Sequence, residues 1–488
     1  MKKLSVITSL MLAGTLAFSV SACNKTPSGG SATDIEILAW ESEYGREWLD
    51  RTVEAYNASQ DTYTATPKYE LTLGNISRAI QNKESYDLYF TALNTSEYDD
   101  KFVDMGDVLG YTPTGESKTI REKYYPYLLE GLKEGDGSYK RLSYGNNATG
   151  LVYNTNLISE KDVPRTTDEL ADLSSIMDKN TKTFTFFNNK EKNGYWNYVL
   201  YAWEAQYDTL EYRNRNLLAL RHESGNSPSK DVLIREDGRK KAIEVLDTLL
   251  NSTTCSADTQ NTEFKIVQSA FIEGSAAIMP NGAWFKLTAG ENKDNFKMMK
   301  TPVISAIVET FEGADKGMPD SRLAALVTAV DEGKPYSDVK DQCSEATYNR
   351  IKEARGYMYN NAAEQFVMIP EFSNAIDGAK DFLKFFYSDA ALQIWTECTG
   401  LPATCRFDYK GDLNAWGENQ FALAESGGII CNSRSKSKIF VDYSMDEYVG
   451  IGFAAEFAKQ GSKKTAEEVW KSIVNTVNIN WDNWSSII

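Results

Sequence analysis

Between Asp34 and Ser96 the chain alternates short apolar runs with a stretch of helical spacing, and this rhythm restricts the fold more than any other feature. Ile35-Glu36-Ile37-Leu38-Ala39-Trp40 has the pattern of a strand. Gly45 to Ala58 follows with Trp48, Leu49, Thr52, Val53 and Tyr56 on one helical face, and Tyr86-Asp87-Leu88-Tyr89-Phe90-Thr91-Ala92-Leu93 is a second apolar run that ends at Asn94-Thr95-Ser96. Strand, helix and strand in that order predict an α/β layer with a largely parallel sheet. Ligands of such sheets sit beyond the carboxyl ends of the strands. Trp40, Glu41 and Asn94 stand at those ends and are candidate binding residues.

At 488 residues the chain has room for about two or three domains. A second α/β region is expected from amphipathic helices over Thr166 to Met177 and Gly238 to Leu250, with a strand over Phe184 to Phe187. Gly194 to Trp203 packs five aromatic residues into ten positions, either a stacking wall or the buried face of a helix. Leu142 to Asn154 is extended and uncharged at its centre. Phe271 to Trp284 predicts a helix end at Gly274, a buried strand, and an Asn281-Gly282 turn leading to Trp284. Residues 305–361 are charged, helix-rich and broken by glycines. Ala375, Ala379, Phe382, Leu383 and Phe386 share one helical face. A further helix through Trp395 stops before Gly400-Leu401-Pro402, and Trp48, Trp395 and Trp470 fall on helix faces as core.

The amino terminus is of another kind. Met1-Lys2-Lys3 precedes an uncharged apolar run, Leu4 to Ala22, whose hydrophobic core suits a secretory signal peptide rather than a membrane span. Val20-Ser21-Ala22-Cys23 then reads as a bacterial lipobox that makes Cys23 the lipid-modified first residue; the competing reading is ordinary cleavage at a small-x-small site. Residues 23–33, with Pro27-Ser28-Gly29-Gly30-Ser31, form a flexible tether. Removal of residues 1–22 leaves 50 basic against 69 acidic side chains, a formal charge of -19. Such a surface repels phosphate backbones, and no Lys/Arg stripe offsets it, so nucleic acid is not an expected partner. The five cysteines beyond Cys23 are an odd number and form no disulfide framework; Cys398 and Cys405 are close enough either to pair or to remain thiols. His222, the only histidine, lies in a polar run with no partner to orient it, which removes most base catalysis and zinc ligation. Neither a metal nor a cofactor is expected.

Taken in order, these signals resemble the extracellular solute-binding lipoproteins of ABC importers, the maltose-binding-protein-like group called family 1. Tyr86 to Asn94 is similar to that family's first-lobe strand. Gly150-Leu151-Val152-Tyr153-Asn154 followed by Val163-Pro164-Arg165-Thr166-Thr167-Asp168-Glu169-Leu170 resembles its G-x-x-Y-N … P-x-T-W-D-E-L signature, with Thr167 where the family usually has Trp. Phe271 to Trp284 resembles F-x-x-G-x-A-A-M-x-x-N-G-x-W, and Ala379 to Pro402 resembles the closing A-x-x-F-L-x-F … G-x-L/P. The resemblance implies a two-lobed, periplasmic-binding-protein-like α/β fold whose lobes are discontinuous and joined by a hinge. On it, residues 34–145 and 274–368 would form lobe 1, with an insertion at about 305–361, and residues 146–273 and 369–488 lobe 2. Hinge crossings would lie near Leu142 to Leu151, near Ile272, and between Gln365 and Glu371. The implied protein is a monomer, anchored outside the cell membrane through Cys23, that captures a small solute and delivers it to membrane permease subunits without chemical turnover.

The side chains suggest the solute. Trp40, Tyr44, Tyr195, Trp196 and Trp284 offer aromatic faces, while Asn94, Asn146, Asn147 and Asn281 offer paired donors and acceptors. Sugars present apolar C–H faces and a rim of hydroxyls, so an oligosaccharide suits this set. Glu41, Glu371 and Arg406 lie near cleft or hinge segments and could bond hydroxyls. The rivals are a surface-anchored carbohydrate-active enzyme working through a carboxylate pair, and a binder of peptides or polyamines, the latter needing converging carboxylates around an aromatic cage.

Overall fold

The computed structural model describes residues 33–485 apart from 93–100, 135, 178–180, 186–192, 214–228, 237, 251–252, 256–263, 361–364, 427–428 and 432–464. Asn94 and His222 fall outside the described residues. Numbered in chain order, eleven strands among the described residues form two sheets.

The first sheet has the order β2 (Thr64–Glu70), β1 (Asp34–Trp40), β3 (Leu88–Thr91), β10 (Phe366–Met368) and β4 (Leu142–Ser143). β1 is parallel to both β2 and β3, and the helices Glu47–Ser59 and Leu73–Gln81 make the crossovers that parallel pairing requires. The 47–59 helix buries Trp48, Leu49, Thr52, Val53 and Tyr56, the face its periodicity predicts. β10 runs antiparallel to β3 and β4.

In the second sheet the order is β11 (Ile429–Cys431), β9 (Met358–Asn360), β5 (Ala148–Asn154), β7 (Ala276–Gly282) and β6 (Lys182–Phe184), with β8 (Phe296–Met298) paired to the end of β5. Every residue of β5 and β7 is buried, as befits a sheet covered on both faces. Leu151 and Tyr153 join a core with Trp203 of the Asn197–Asp208 helix, whereas Val152 and Met279 face the core shared with Phe271 and Trp416.

These sheets divide the chain differently from the expected lobe boundaries. β7, β8, β9 and the helices Asp320–Asp331 and Glu345–Gly356 belong to the second sheet and its core, while β10 and the helices Ile376–Phe386 and Asp389–Thr399 pack on the first. The cause is pairing: β7 lies antiparallel to β5 over five residues, and burial pattern alone cannot say which sheet a buried strand joins. The charged stretch after residue 305 accordingly packs Leu323, Leu326, Val327 and Ile351 into the second lobe. The Ala466–Ser485 helix does the same with Val469, Trp470 and Ile473.

Among the described elements the chain passes between the sheets three times: through 144–147 from β4 to β5, between β9 and β10, where residues 361–364 lie outside the described residues, and through 400–414 from the 389–399 helix to the Ala415–Glu425 helix. The first lies inside the range Leu142 to Leu151 named for a hinge, and the second leads into Gln365, where the range Gln365 to Glu371 begins. No crossing occurs near Ile272, because the Phe264–Ile272 helix turns at Gly274 (φ 87) straight into β7. Asn281 and Gly282 are not a turn but the last two residues of that strand. The expected Thr166–Met177 helix is shorter, Thr167–Asp172 followed by a 3-10 turn at Leu173–Ser175. Cys398 and Cys405 are free thiols, as are Cys255 and Cys343.

Candidate functional site

The residues that face one another between the two sheets are aromatic rings and side-chain amides. Residues 41–46 connect the carboxyl end of β1 to the 47–59 helix and carry Tyr44, whose ring lies 5.4 Å from that of Trp395 on the 389–399 helix. Trp395 packs edge-on against Trp48 at 5.1 Å, and Trp48 stacks on Tyr144 of the first crossing at 5.5 Å and 9°. Tyr44, Tyr144 and Trp395 thus form a floor on the first lobe, with Trp48 behind it. The second lobe supplies a wall. Trp284 meets Tyr195 edge-on at 6.0 Å and Tyr198 at 6.3 Å, and Tyr198 stacks on Tyr359 of β9 at 5.4 Å. The Trp284 indole folds back over the end of β7, where only a glycine fits: a methyl on Gly282 would stand 2.2 Å from the ring.

Floor and wall share electrostatic neighbours. Burial raises the Tyr44 hydroxyl pKa well above its ordinary value, and the Glu43 carboxylate raises it further, with smaller pushes from Tyr144 and Tyr195. The same two causes, burial and then Glu43, raise Tyr144 and Tyr195. One carboxylate at the head of the 41–46 loop therefore acts on tyrosines of both lobes, and all three phenols stay protonated as donors.

Amides tie the crossings together. Asn147 donates to Gln365 Oε1 at 2.6 Å, Asn360 donates to Asn146 Oδ1 at 2.7 Å, and Asn146 donates to the Tyr127 hydroxyl at 2.9 Å. Two polar atoms of this buried set have no hydrogen-bond partner: the Tyr44 hydroxyl and Asn147 Oδ1. The Gln365 side chain lies close enough to the Tyr44 hydroxyl to favour its ionised form. Buried polar atoms are nearly always bonded. Here one donor, the Tyr44 hydroxyl, and one acceptor, Asn147 Oδ1, stand unbonded beside the aromatic floor.

Of the residues expected at the site, Tyr44, Asn147, Tyr195 and Trp284 are brought together, with Asn146 one bond away. Trp40 is half-buried at the end of β1, against the first core. Glu41 is paired with Arg46, whose guanidinium lies 4.8 Å over Tyr69, at the carboxyl edge of the first sheet. Four expectations fail. Trp196 follows Tyr195 in a tight 3-10 turn and so points the other way, edge-on to Phe184 at 5.9 Å in the second core. Asn281 spends its amide on Gln268, 3.0 Å away, and on the Gly282 N–H. Glu371 is exposed at the far end of the first sheet, because β10 runs antiparallel to β3 and carries the chain away from Trp40. Arg406 pairs with Glu425 at 3.0 Å and lies 4.4 Å over Tyr125, behind the third crossing. Tyr144, Tyr359, Gln365 and Glu43 join the set without an individual signal in the sequence beyond position in or beside a crossing, or next to Tyr44, while Tyr198 comes from the Gly194 to Trp203 aromatic run.

A model of the bacterial extracellular solute-binding proteins matches residues 50–410, which include most of the 47–59 helix, all of β5 and β7, and the 389–399 helix. The chain belongs to that family. It is a solute-binding protein of α/β architecture in two lobes, and members of its family act outside the cytoplasm. Its fold is similar to that of the bacterial solute receptor AcbH, described as preferring β-D-galactopyranose exclusively, with a TM-score of 0.61, 12% identity, and coverage of 92% of this chain and 99% of that one. The solute-binding protein RafE in complex with raffinose gives a TM-score of 0.59 at 14% identity, covering 93% and 99%. A family 1 extracellular solute-binding protein of Bifidobacterium longum subsp. infantis gives 0.59 at 12%, covering 92% and 100%. At these identities the likeness concerns the fold. Among the described residues no helix is long and apolar enough to cross a membrane, and no group of three His, Cys, Asp or Glu side chains is placed to hold a metal.

Proposed function

We propose that this solute-binding protein captures an oligosaccharide between its lobes and delivers it to the permease of an ABC importer, binding without turnover. The observation that carries the reading is the pair of unbonded buried atoms, Tyr44 hydroxyl and Asn147 Oδ1, beside the Tyr44, Tyr144 and Trp395 rings. A sugar ring stacks its C–H face on such rings and offers hydroxyls that both donate and accept. AcbH and RafE, whose folds are similar, are described with a galactopyranose and with raffinose, which agrees with a saccharide. Hinge bending at the three crossings would bring Tyr195 and Trp284 against the sugar's other face, and the permease would recognise the closed form. On this reading the protein works as a monomer, held at the outer face of the membrane by a lipid on Cys23, with residues 24–33 as its leash.

A thermal-shift screen of the purified protein against neutral oligosaccharides, peptides and polyamines tests the ligand class. A ligand at a hundredfold excess over its dissociation constant adds about 2.7 kcal/mol of stability. Stabilisation by a saccharide is the expected result. Stabilisation by a polyamine or peptide alone would refute the saccharide, and cleavage products in a mass spectrum of the incubated sugar would refute binding without turnover.

A further inference from the structure

The carboxyl end of the 389–399 helix meets an ammonium group of the second lobe. This helix belongs to the first lobe: Arg51 of the 47–59 helix bonds Glu397 at 2.5 Å, and Trp395 lies on the binding floor. Gly400 ends it in the left-handed conformation (φ 66), donating its N–H to Thr396 O at 2.7 Å. Above that end stands Lys286, from the short Phe285–Ala289 helix of the second lobe, two residues beyond Trp284. Its Nζ donates to Thr399 O at 3.5 Å, and a methyl placed on Gly400 would lie 2.0 Å from that nitrogen, so the ammonium rests directly on Gly400. The 415–425 helix of the second lobe begins against the same place, with a methyl on Gly417 falling 3.0 Å from Gly400 O. The last carbonyls of a helix carry partial negative charge, and a cation beside them is stabilised.

We propose that Lys286 is a closure latch: its ammonium docks on the carboxyl end of the 389–399 helix as the lobes come together and leaves it as they part. The latch joins the helix that carries the floor residue Trp395 to the segment that carries the wall residue Trp284. Gly400 is required twice over, for its positive φ and because any side chain would occupy the ammonium's position. The latch rests on the reading of this protein as a lobe-closing binder, but its test does not depend on the ligand's being a saccharide.

Small-angle scattering of the unliganded protein, and stopped-flow dissociation of raffinose, compare wild type with K286A, K286R and G400A. K286A is expected to shift the scattering to a larger radius of gyration and to raise the dissociation rate about fivefold, with the association rate unchanged. K286R, which keeps the charge, is expected to stay near wild type. G400A displaces the ammonium and is expected to mimic K286A; whatever it adds in a K286A background is the strain of a side chain at φ 66. K286A matching wild type in both scattering and dissociation would overturn the latch. Failure of wild type to bind raffinose would bear on the saccharide reading alone, and the scattering series would then decide the latch.

Discussion

Tyr44→Phe separates a ligand contact from a packing accident, because the two act on different observables. The Tyr44 hydroxyl is buried with no hydrogen-bond partner, and such a group costs about 1–3 kcal/mol. Its removal leaves the ring on Trp395 and takes away only that penalty, so the unliganded protein gains about 1 kcal/mol or more. For lobes of this size each kcal/mol moves the melting midpoint by about 2–4 °C. Affinity moves the other way. A net hydrogen bond to the ligand is worth about 0.5–1.5 kcal/mol, which weakens the dissociation constant roughly twofold to twelvefold. Burial and the Glu43 carboxylate both raise the hydroxyl's pKa, so it remains a donor through neutral pH and the loss of affinity stays constant from about pH 6 to 8. Thermal unfolding without ligand, followed by calorimetric titration with the best saccharide of the screen, reads both effects. A lowered melting midpoint would mean that the hydroxyl is bonded in the unliganded protein. An unchanged dissociation constant would mean that the ligand does not use it. Either result refutes the assignment.

Gly282→Ala pushes a methyl into the buried Trp284 ring and should weaken binding several-fold while costing about 1–3 kcal/mol of stability; tryptophan fluorescence on ligand addition, which should shrink, and denaturant unfolding check it. Trp203→Ala empties the centre of the second core and breaks the 3.0 Å bond to Pro302 O, and should cost about 3–5 kcal/mol in denaturant unfolding. Asp331→Asn tests acid stability. Burial pushes the Asp331 pKa up, but Arg355 and Lys300 outweigh it and hold the carboxyl below its ordinary value. A carboxyl with a depressed folded pKa contributes stability that is complete above the unfolded value near 3.8 and is lost as pH falls through the folded one. The variant should therefore lose about 2 kcal/mol at pH 7, less than a fully buried pair because Asp331 keeps 27% of its side chain exposed, and should show a flatter decline below about pH 4. A parallel decline in both proteins would remove Asp331 from the account of acid unfolding.

What the sequence carried was local, and what it withheld was pairing. The helical face of Trp48, Leu49, Thr52, Val53 and Tyr56 was legible because a period of 3.6 leaves no other use for five such residues. The same logic found the buried face of the 376–386 helix. Ala276 to Gly282 was legible as a buried strand but not as the neighbour of β5, since pairing depends on residues more than a hundred positions away. The lobe boundaries went astray for that reason alone. At the site, residue type was legible and orientation was not. Tyr195 and Trp196 are adjacent aromatics with equal claims by composition, yet a tight turn sends one to the core that holds Tyr44 and Trp284 and the other to the second core. Asn147 and Asn281 are both buried amides, but Gln268 satisfies one and nothing satisfies the Oδ1 of the other.

That last contrast bears on how binding and hinge motion are coupled. Asn147 sits in the first crossing and gives its N–H to Gln365 in the second, so its side chain already bridges the two segments about which the lobes would turn. Its remaining acceptor, Oδ1, is buried and unbonded. A ligand hydroxyl bonded to Oδ1 would polarise the amide and strengthen its N–H bond to Gln365, because successive hydrogen bonds reinforce one another in a low-dielectric setting. Ligand capture would then stiffen the hinge at the moment it fills the cleft, with no separate relay between the two. Asn147→Asp removes the donor to Gln365 but keeps an acceptor for the ligand, and Gln365→Glu removes nothing that the Asn147 amide needs in order to donate. If hinge and site share this residue, Asn147→Asp should lose affinity despite retaining its acceptor, and Gln365→Glu should lose affinity too, since its buried carboxylate would accept a hydrogen bond from the Tyr44 hydroxyl. Equal affinities for wild type and Asn147→Asp would separate the hinge from the site.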